Sequence, residues 1–345
     1  MGGSTSSAQV SSRASSAGSS AAISTGSSVG GGSPVAAGSS STTSSSGGVD
    51  PGLCARVGMP AGAIVASHCR GTNHQDITGV QRVVFVGDSI TVGTPPTPSA
   101  SYYRTVLSDQ LAARFALQAP SATWKASNPL NGMPGERDSG DFCASAKWGA
   151  RTDDLMEDNT QLEDCLPLDQ RNKTTLVVMT MGGNDIFAIA EARAAGQTEQ
   201  QVQALLDAMV LKQDQALAWL KEPGRFPNGI FVIFTNNYEF TDRTGDVENC
   251  PGAAQAGYNA TWGDTAGLPD AVAWANARYI QMAVARGVDM VFMEEAFCGH
   301  GFSATQPQNV CHNPSGPNYF DLTCFHPNAS GHADLASAFL AVVTE

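Results

Sequence analysis

The stretch Arg82-Val83-Val84-Phe85-Val86-Gly87-Asp88-Ser89-Ile90 decides the fold. After Arg82, residues 83–86 form a short run of β-branched and aromatic side chains with no polar alternation, the pattern of a strand covered on both faces. Gly87 ends the run, and a helical stretch follows with Leu107, Leu111 and Phe115 at helical spacing. The alternation then repeats. Residues 174–180 read as a strand before Gly182-Gly183. A helix over 199–220 carries Val202, Leu205, Leu206, Met209 and Leu217 on one side. Residues 230–235 read as a strand, 271–285 as a helix, 288–293 as a strand and 329–343 as a closing helix. Strands alternating with helices predict an α/β fold: a mostly parallel sheet with helices on both faces, because right-handed crossovers place them there. No repeat of 20 to 50 residues is visible.

Composition narrows what such a domain can do. The chain has 345 residues, 15% of them charged, and a net charge of -13. A nucleic-acid backbone or an anionic membrane face would repel it, so neither is an expected partner. No apolar run approaches the roughly 20 residues of a membrane-spanning helix, which excludes stable membrane insertion by that route. Residues 1–48 are almost all Ser, Gly, Ala and Thr and cannot bury enough apolar surface to offset the entropy of ordering. They are expected to be a disordered linker, with one folded domain over 49–345. The linker lacks the basic start and apolar stretch of a signal peptide, so secretion requires a signal already removed. A tether of this kind implies a binding module or lipid anchor upstream; a ragged terminus without a partner is the plainer reading.

Eight cysteines suggest an oxidising compartment and up to four disulfides. No two lie close enough for a Cys-x-x-Cys zinc pair, so no metal is expected. Cys54 with Cys69 and Cys143 with Cys165 are the loops cheapest to close, and the first would tie residues 49–80 as a cap on the domain.

Three polar signatures follow strands or precede the last helix: Gly87-Asp88-Ser89-Ile90, Gly182-Gly183-Asn184-Asp185, and Asp321 with His326. Reactive groups collect at the carboxyl ends of parallel strands. A Ser nucleophile needs a base, a group to orient that base, and donors for the tetrahedral oxyanion; all these residue types are present. Alone, Gly-Asp-Ser after a strand is as readily a simple turn. The second block is no phosphate loop, since no Walker lysine follows and no G-x-G-x-x-G exists.

Taken in order, the blocks resemble the SGNH hydrolases, the GDSL-type esterases and lipases. Gly87-Asp88-Ser89-Ile90 matches the nucleophile block, Gly182-Gly183-Asn184-Asp185 the oxyanion block, and Phe325-His326-Pro327 with Gly331-His332 the base block. The lone glycine of the remaining block is assigned to Gly149 in Trp148-Gly149-Ala150-Arg151-Thr152. The resemblance spans 82 to the C-terminus. It implies a three-layer α/β/α sandwich with a flavodoxin-like parallel sheet and an acyl-enzyme mechanism without cofactor. Ser89 would be the nucleophile and His326 the base. Asn184 would give its side-chain amide, and Gly149 and Ser89 their main-chain amides, to the oxyanion.

One departure matters. The family's acid lies three residues before the base, where this chain has Thr323; the nearest carboxylate is Asp321, five before. Either Asp321 swings into place to orient His326, or a main-chain carbonyl near Thr323 does so. Asp88 is expected to brace its turn and Asp185 to cap the helix after it. The long interval between Gly87 and Gly149 implies an insertion over 95–141 that shapes the substrate pocket. His332 is expected to pack in the last helix, and His300 and His312 to be structural. Tyr238 and Trp262 are candidates for stacking on a substrate, or for lining their own loop. Asp242, Asp246 and Glu248 match no calcium loop. Asn172, Asn259 and Asn328 begin glycosylation sequons, but a glycan on Asn328 would crowd His326, which favours a bacterial, extracytoplasmic protein.

The expected activity is that of a secreted esterase, its substrate a small-molecule or polysaccharide ester, with deacetylation of a polysaccharide as one form. A lipase or phospholipase, and a non-catalytic glycan-binding module, are the other readings.

Overall fold

The computed structural model describes residues 59–158, 160–245, 250, 252 and 267–345. The chain divides into Met1–Gly47 and Gly48–Glu345, and every described residue belongs to the second unit. The linker, Cys54, Asp246, Glu248, Asn259 and Trp262 lie outside the described residues.

Six strands make one sheet: β1 (Arg82–Gly87), β2 (Asp138–Ser139), β3 (Phe142–Ala144), β4 (Thr175–Thr180), β5 (Ile230–Thr235) and β6 (Asp289–Val291). Their order is β2-β3-β1-β4-β5-β6, parallel except where β2 turns back on β3 at one edge. Omitting β2, the chain lays its second strand outside its first and then adds the third, fourth and fifth on the other side. This is the flavodoxin-like order expected of the fold, and the winding reverses between β1 and β4.

All six residues of β1 and of β4 are buried, and the apolar runs 83–86 and 176–179 lie at their centres. Their side chains alternate between two cores. Val84, Val86, Val177 and Met179 face one core, with α5 (Gly183–Ala194), α6 (Glu199–Leu220) and α7 (Gly267–Arg286). Val83, Phe85, Leu176 and Val178 face the other, covered by α2 (Tyr103–Phe115) and α9 (Ala329–Thr344). The helix expected over 199–220 has those bounds, begun by a capping box in which Thr198 and Gln201 exchange bonds. The strand expected over 288–293 stops at Val291, because Met293 opens α8 (Met293–Phe297). Residues from the expected cap run along β6: Gly71 bridges to Val291, and Thr72 N donates to Met290 O at 2.9 Å.

Cys143 and Cys165 are bonded as expected, and among the described residues Cys250 pairs with Cys324 and Cys298 with Cys311. No described cysteine is free. Among the described residues no helix is long and apolar enough to cross a membrane.

Candidate active site

The site forms where the winding reverses, at the carboxyl ends of β1 and β4. Gly87 takes a left-handed φ of +139°, and a Cβ there would collide with the Thr180 carbonyl, so only glycine lets the two strand ends approach. Gln161, in α4 (Gln161–Cys165), holds the Gly87 peptide from both sides: its Oε1 accepts from Gly87 N at 2.7 Å and its Nε2 donates to Gly87 O at 3.0 Å. Asp88 braces the turn as expected. It caps α1 (Ser89–Val92), accepting from Ile90 N at 2.9 Å and from Thr180 Oγ1 at 3.2 Å. Burial pushes its carboxyl up to about 7. Ser89 is therefore presented on a short helix whose base is bonded into the sheet.

A buried arginine anchors the other end of α1. Arg104 is fully buried; its Nε donates to Thr91 O at 3.0 Å, and its other nitrogens donate to the carbonyls of Val92, Trp124 and Lys125. Trp124 and Lys125 belong to α3 (Ala122–Lys125), and the guanidinium lies 4.3 Å from the Trp124 ring centre. Burial draws Arg104 down to about 10, and main-chain carbonyls, not a carboxylate, satisfy the charge.

The second limb starts at Gly182, φ +118°, where a Cβ would stand 2.7 Å from both the Tyr279 hydroxyl and Met209 Cε. Asn184 follows in the first turn of α5, and its Nδ2 donates to Ala150 O at 2.8 Å. A carboxamide carries two N–H groups, so one sets the side-chain direction while the other is left for a ligand. Gly149 has φ +76° and is exposed; it adjoins Ala150 but is not among the residues lining the cavity. Asp185 does not cap its helix. Its carboxylate accepts from Thr152 N at 3.0 Å and Thr152 Oγ1 at 2.9 Å, pinning the segment after Gly149 to α5. Burial moves it up to about 6.

The third limb is a tight turn before α9. Phe320 bridges to Pro327, and Asp321 N donates to His326 O at 2.9 Å. His326 Nε2 lies 2.9 Å from Ser89 Oγ, 237 residues away in sequence. His326 Nδ1 meets the Thr323 hydroxyl at 3.2 Å. Asp321 thus does not reach the imidazole, and the main-chain carbonyl alternative is not realised either. The reason is local: Asp321 Oδ1 closes its own turn, accepting from Thr323 N at 2.8 Å and from Thr323 Oγ1. Burial draws His326 down to about 4, so its ring is neutral at pH 7 and able to accept a proton.

Ser89, Asn184 and His326 line one cavity of about 250 Å³. Its remaining wall is mainly apolar, with Ile90, Met181, Ile186, Phe187, Leu268 and Val272, and Asp88 and Glu239 are its other carboxyl groups. The insertion over 95–141 supplies α2, α3 and β2 but none of this lining, so the pocket is shaped by α5, α7 and the segment after β5 instead.

Tyr238 lines the cavity, but its ring is already stacked on Phe297, with centroids 5.1 Å apart, and lies edge-on to Phe320. Its hydroxyl donates to the Phe325 carbonyl. It braces the His326 turn and does not present a free stacking face. Trp262, its expected companion, lies outside the described residues.

His332 is fully buried, stacked on Tyr103, with Nδ1 accepting from Tyr103 N at 3.2 Å. His300 stacks on Tyr319, and the Nδ1 atoms of His300 and His312 sit on the carbonyls of Pro317 and Gln306. Asp242 ties down another loop, accepting from the N–H groups of Gly299, Gly301 and Ser303. Asn328 caps α9 through Oδ1 and donates from Nδ2 to Asn318 O and Phe320 O, leaving its amide fully used. Gln161 and Arg104 were not singled out by sequence, because a lone amide and an arginine inside a helical run carry no motif; Thr323 was marked only as the position where the family's acid is missing, and its hydroxyl was not.

A sequence model of the GDSL-like lipase/acylhydrolase family matches residues 85–333, which contain both glycine blocks and the histidine turn. No curated protein matches the sequence. Among solved structures, a phospholipase A1 from Streptomyces albidoflavus NA297 is 20% identical, with 77% of this chain and 98% of that chain covered and a TM-score of 0.44. An extracellular lipase from Streptomyces rimosus is 19% identical, with 76% and 100% covered and a TM-score of 0.45. A two-domain esterase active on acetylated mannans is 13% identical, with 77% of this chain and 48% of that chain covered and a TM-score of 0.39. With the family pattern matched over most of its length, the chain belongs to the GDSL-like lipase/acylhydrolase family.

Proposed function

We propose that this protein is a secreted serine esterase that hydrolyses carboxylic esters through an acyl-enzyme. The observation that carries the proposal is the 2.9 Å contact between Ser89 Oγ and His326 Nε2 beside the Asn184 carboxamide in one cavity. In the first half-reaction Ser89 Oγ attacks the ester carbonyl carbon as its proton passes to His326 Nε2. The carbon–oxygen bond to the alcohol breaks, and that alcohol leaves with the proton from His326. Water then attacks the acyl-serine, giving its proton to His326; Ser89 recovers that proton as the carboxylic acid departs. In both halves the carbonyl oxygen becomes anionic, and the free N–H of Asn184, with the main-chain amides of Ser89 and Gly149, would stabilise it.

The cavity bears on the substrate. Its lining is mainly apolar and its 250 Å³ exceeds what an acetyl group fills, since a water-sized group takes about 30 Å³. This favours an acyl chain of several carbons over the acetyl group of a decorated polysaccharide. The disulfides fit an extracytoplasmic location. The test is hydrolysis of p-nitrophenyl esters from acetyl to decanoyl, with fluorophosphonate labelling. Cleavage that peaks beyond acetyl and vanishes in Ser89→Ala, at unchanged thermal unfolding, supports the reading. No cleavage and no label would leave a binding module.

A further inference from the structure

We infer that Thr323 is a positioning residue whose hydroxyl joins the Asp321 carboxylate to the His326 imidazole, so that the base is oriented by a carboxylate it does not touch. This rests on the serine-esterase reading and goes beyond it by assigning how the base is held.

Proton accounting supports the chain. Thr323 Oγ1 stands 3.2 Å from both His326 Nδ1 and His326 N, and it also contacts Asp321 Oδ1. The main-chain N–H can only donate, so one lone pair of the hydroxyl oxygen is taken by His326 N. An ionised carboxylate can only accept, so the single hydroxyl hydrogen points at Asp321 Oδ1. The remaining lone pair faces His326 Nδ1, which must then carry the ring hydrogen. That tautomer leaves the Nε2 lone pair aimed at Ser89 Oγ, the state a general base needs. The imidazolium formed during turnover would meet the Asp321 charge through one polarised hydroxyl.

The surroundings hold this order in place. Asp321 is 7% exposed, and its Oδ2 is buried with no hydrogen-bond partner among the described residues; burial raises its carboxyl, and the two bonds from Thr323 to Oδ1 oppose that, so its charged form is held through Thr323. The turn is closed by the Asp321 N to His326 O bond, by the Cys250–Cys324 bridge and by the Tyr238 hydroxyl on Phe325 O. Among the described residues, the other ionisable groups lining the cavity with His326 are Asp88, Tyr238 and Glu239, and His332 stands behind the turn.

The test is a double-mutant cycle in the full chain, with p-nitrophenyl butyrate as substrate and thermal unfolding as a control. Thr323→Val is expected to lower kcat by about 10- to 100-fold with KM within about two-fold, the loss expected when a buried donor loses its acceptor. Thr323→Ser is expected to stay within about three-fold of the parent. Asp321→Asn keeps the acceptor but removes the charge; it should lower kcat by about ten-fold and shift the acid limb of kcat/KM to lower pH. In the Thr323→Val background Asp321→Asn should add nothing, since its influence passes through the hydroxyl. A native kcat in Thr323→Val, an equal loss in Thr323→Ser, or an Asp321→Asn effect of the same size in both backgrounds would each overturn the relay. Should Thr323→Val not fold, the pH profile of Asp321→Asn decides alone, an unmoved acid limb refuting it. The imidazole 15N shifts of His326 read the tautomer without substrate: an Nδ1–H ring in the parent that becomes mixed in Asp321→Asn supports the relay, and an unchanged ring overturns it. Absence of ester cleavage and of fluorophosphonate labelling in the parent would instead count against the esterase reading itself.

Discussion

The phenol of Tyr238 donates to the carbonyl of Phe325, the residue immediately before His326. The bond crosses from the segment after β5 to the turn before α9 and fixes the peptide that carries the base. Tyr238→Phe keeps the stacking on Phe297 and loses only the hydroxyl. Stability should fall by about 1 kcal/mol, while kcat drops several-fold because the imidazole gains freedom. Steady-state kinetics beside a urea titration separates the two effects; a loss of stability with native kcat would show the bond to be structural only.

Asn184 already spends one N–H on Ala150 O, which sets its rotamer before any ligand arrives. Asn184→Ala is expected to cut turnover by hundreds-fold, about 3 to 4 kcal/mol of barrier, and to leave the fold intact. Because Asn184 is half-buried and its side chain has one hydrogen-bond partner among the described residues, the Ala150 carbonyl, unfolding should move little. Pre-steady-state acylation with a chromogenic ester measures the step concerned; an unchanged acylation rate would remove Asn184 from the oxyanion site.

Arg104 serves α1 through geometry as well as charge. Its fork reaches Thr91 and Val92 on one side and Trp124 and Lys125 on the other, which a lysine ammonium cannot do. Arg104→Lys is expected to destabilise the protein by about 2 to 4 kcal/mol by leaving carbonyls and a charge under-satisfied in the core. Denaturant midpoints at constant m-value give the number, and a change below about 0.5 kcal/mol would contradict this account.

Two histidines make acid the informative direction. Burial draws His326 down to about 4, so activity should persist at pH 5.5 and decline only as pH falls towards 4. An acid limb of kcat/KM near 6.5 would show that His326 is solvated. His332 is drawn down to about 3. Its folded value lies below its unfolded one, so its neutral form contributes fully above pH 6.5, and that contribution is lost as pH falls towards 3. Between pH 6 and 4 the unfolded chain takes up a proton that the native one refuses. The stability gap between the parent and His332→Phe should therefore shift against the parent by about 1.4 kcal/mol per pH unit, as urea unfolding at several pH values would read.

What sequence made legible was whatever repeats along the chain or sits in a motif. Unbroken apolar runs at 83–86 and 230–234 mark buried strands because nothing else accommodates them; Gly87 is needed where two strand ends approach closely, and Gly182 where the side chains of Met209, Asn237 and Tyr279 close in. Ser89 and His326 were readable because a chemistry restricts which residues can stand there. The strands β2 and β3 are too short to generate a period. The orientation of His326 was not readable, since it depends on whether Asp321 bonds across the turn or within it, a choice made by a few hydrogen bonds among 320–327. Arg104 and Gln161 act on main-chain atoms, and main-chain atoms leave no trace in a sequence.

The Cys250–Cys324 bridge spans 74 residues and closes on the turn that carries the imidazole. The sheet has its own bridge, Cys143–Cys165 from β3 to α4, and the turn of His326 is held by a second one. On the proposed esterase reading, a copy made where thiols stay reduced would keep its general base on a slack tether, and maturation would then be partly an oxidation.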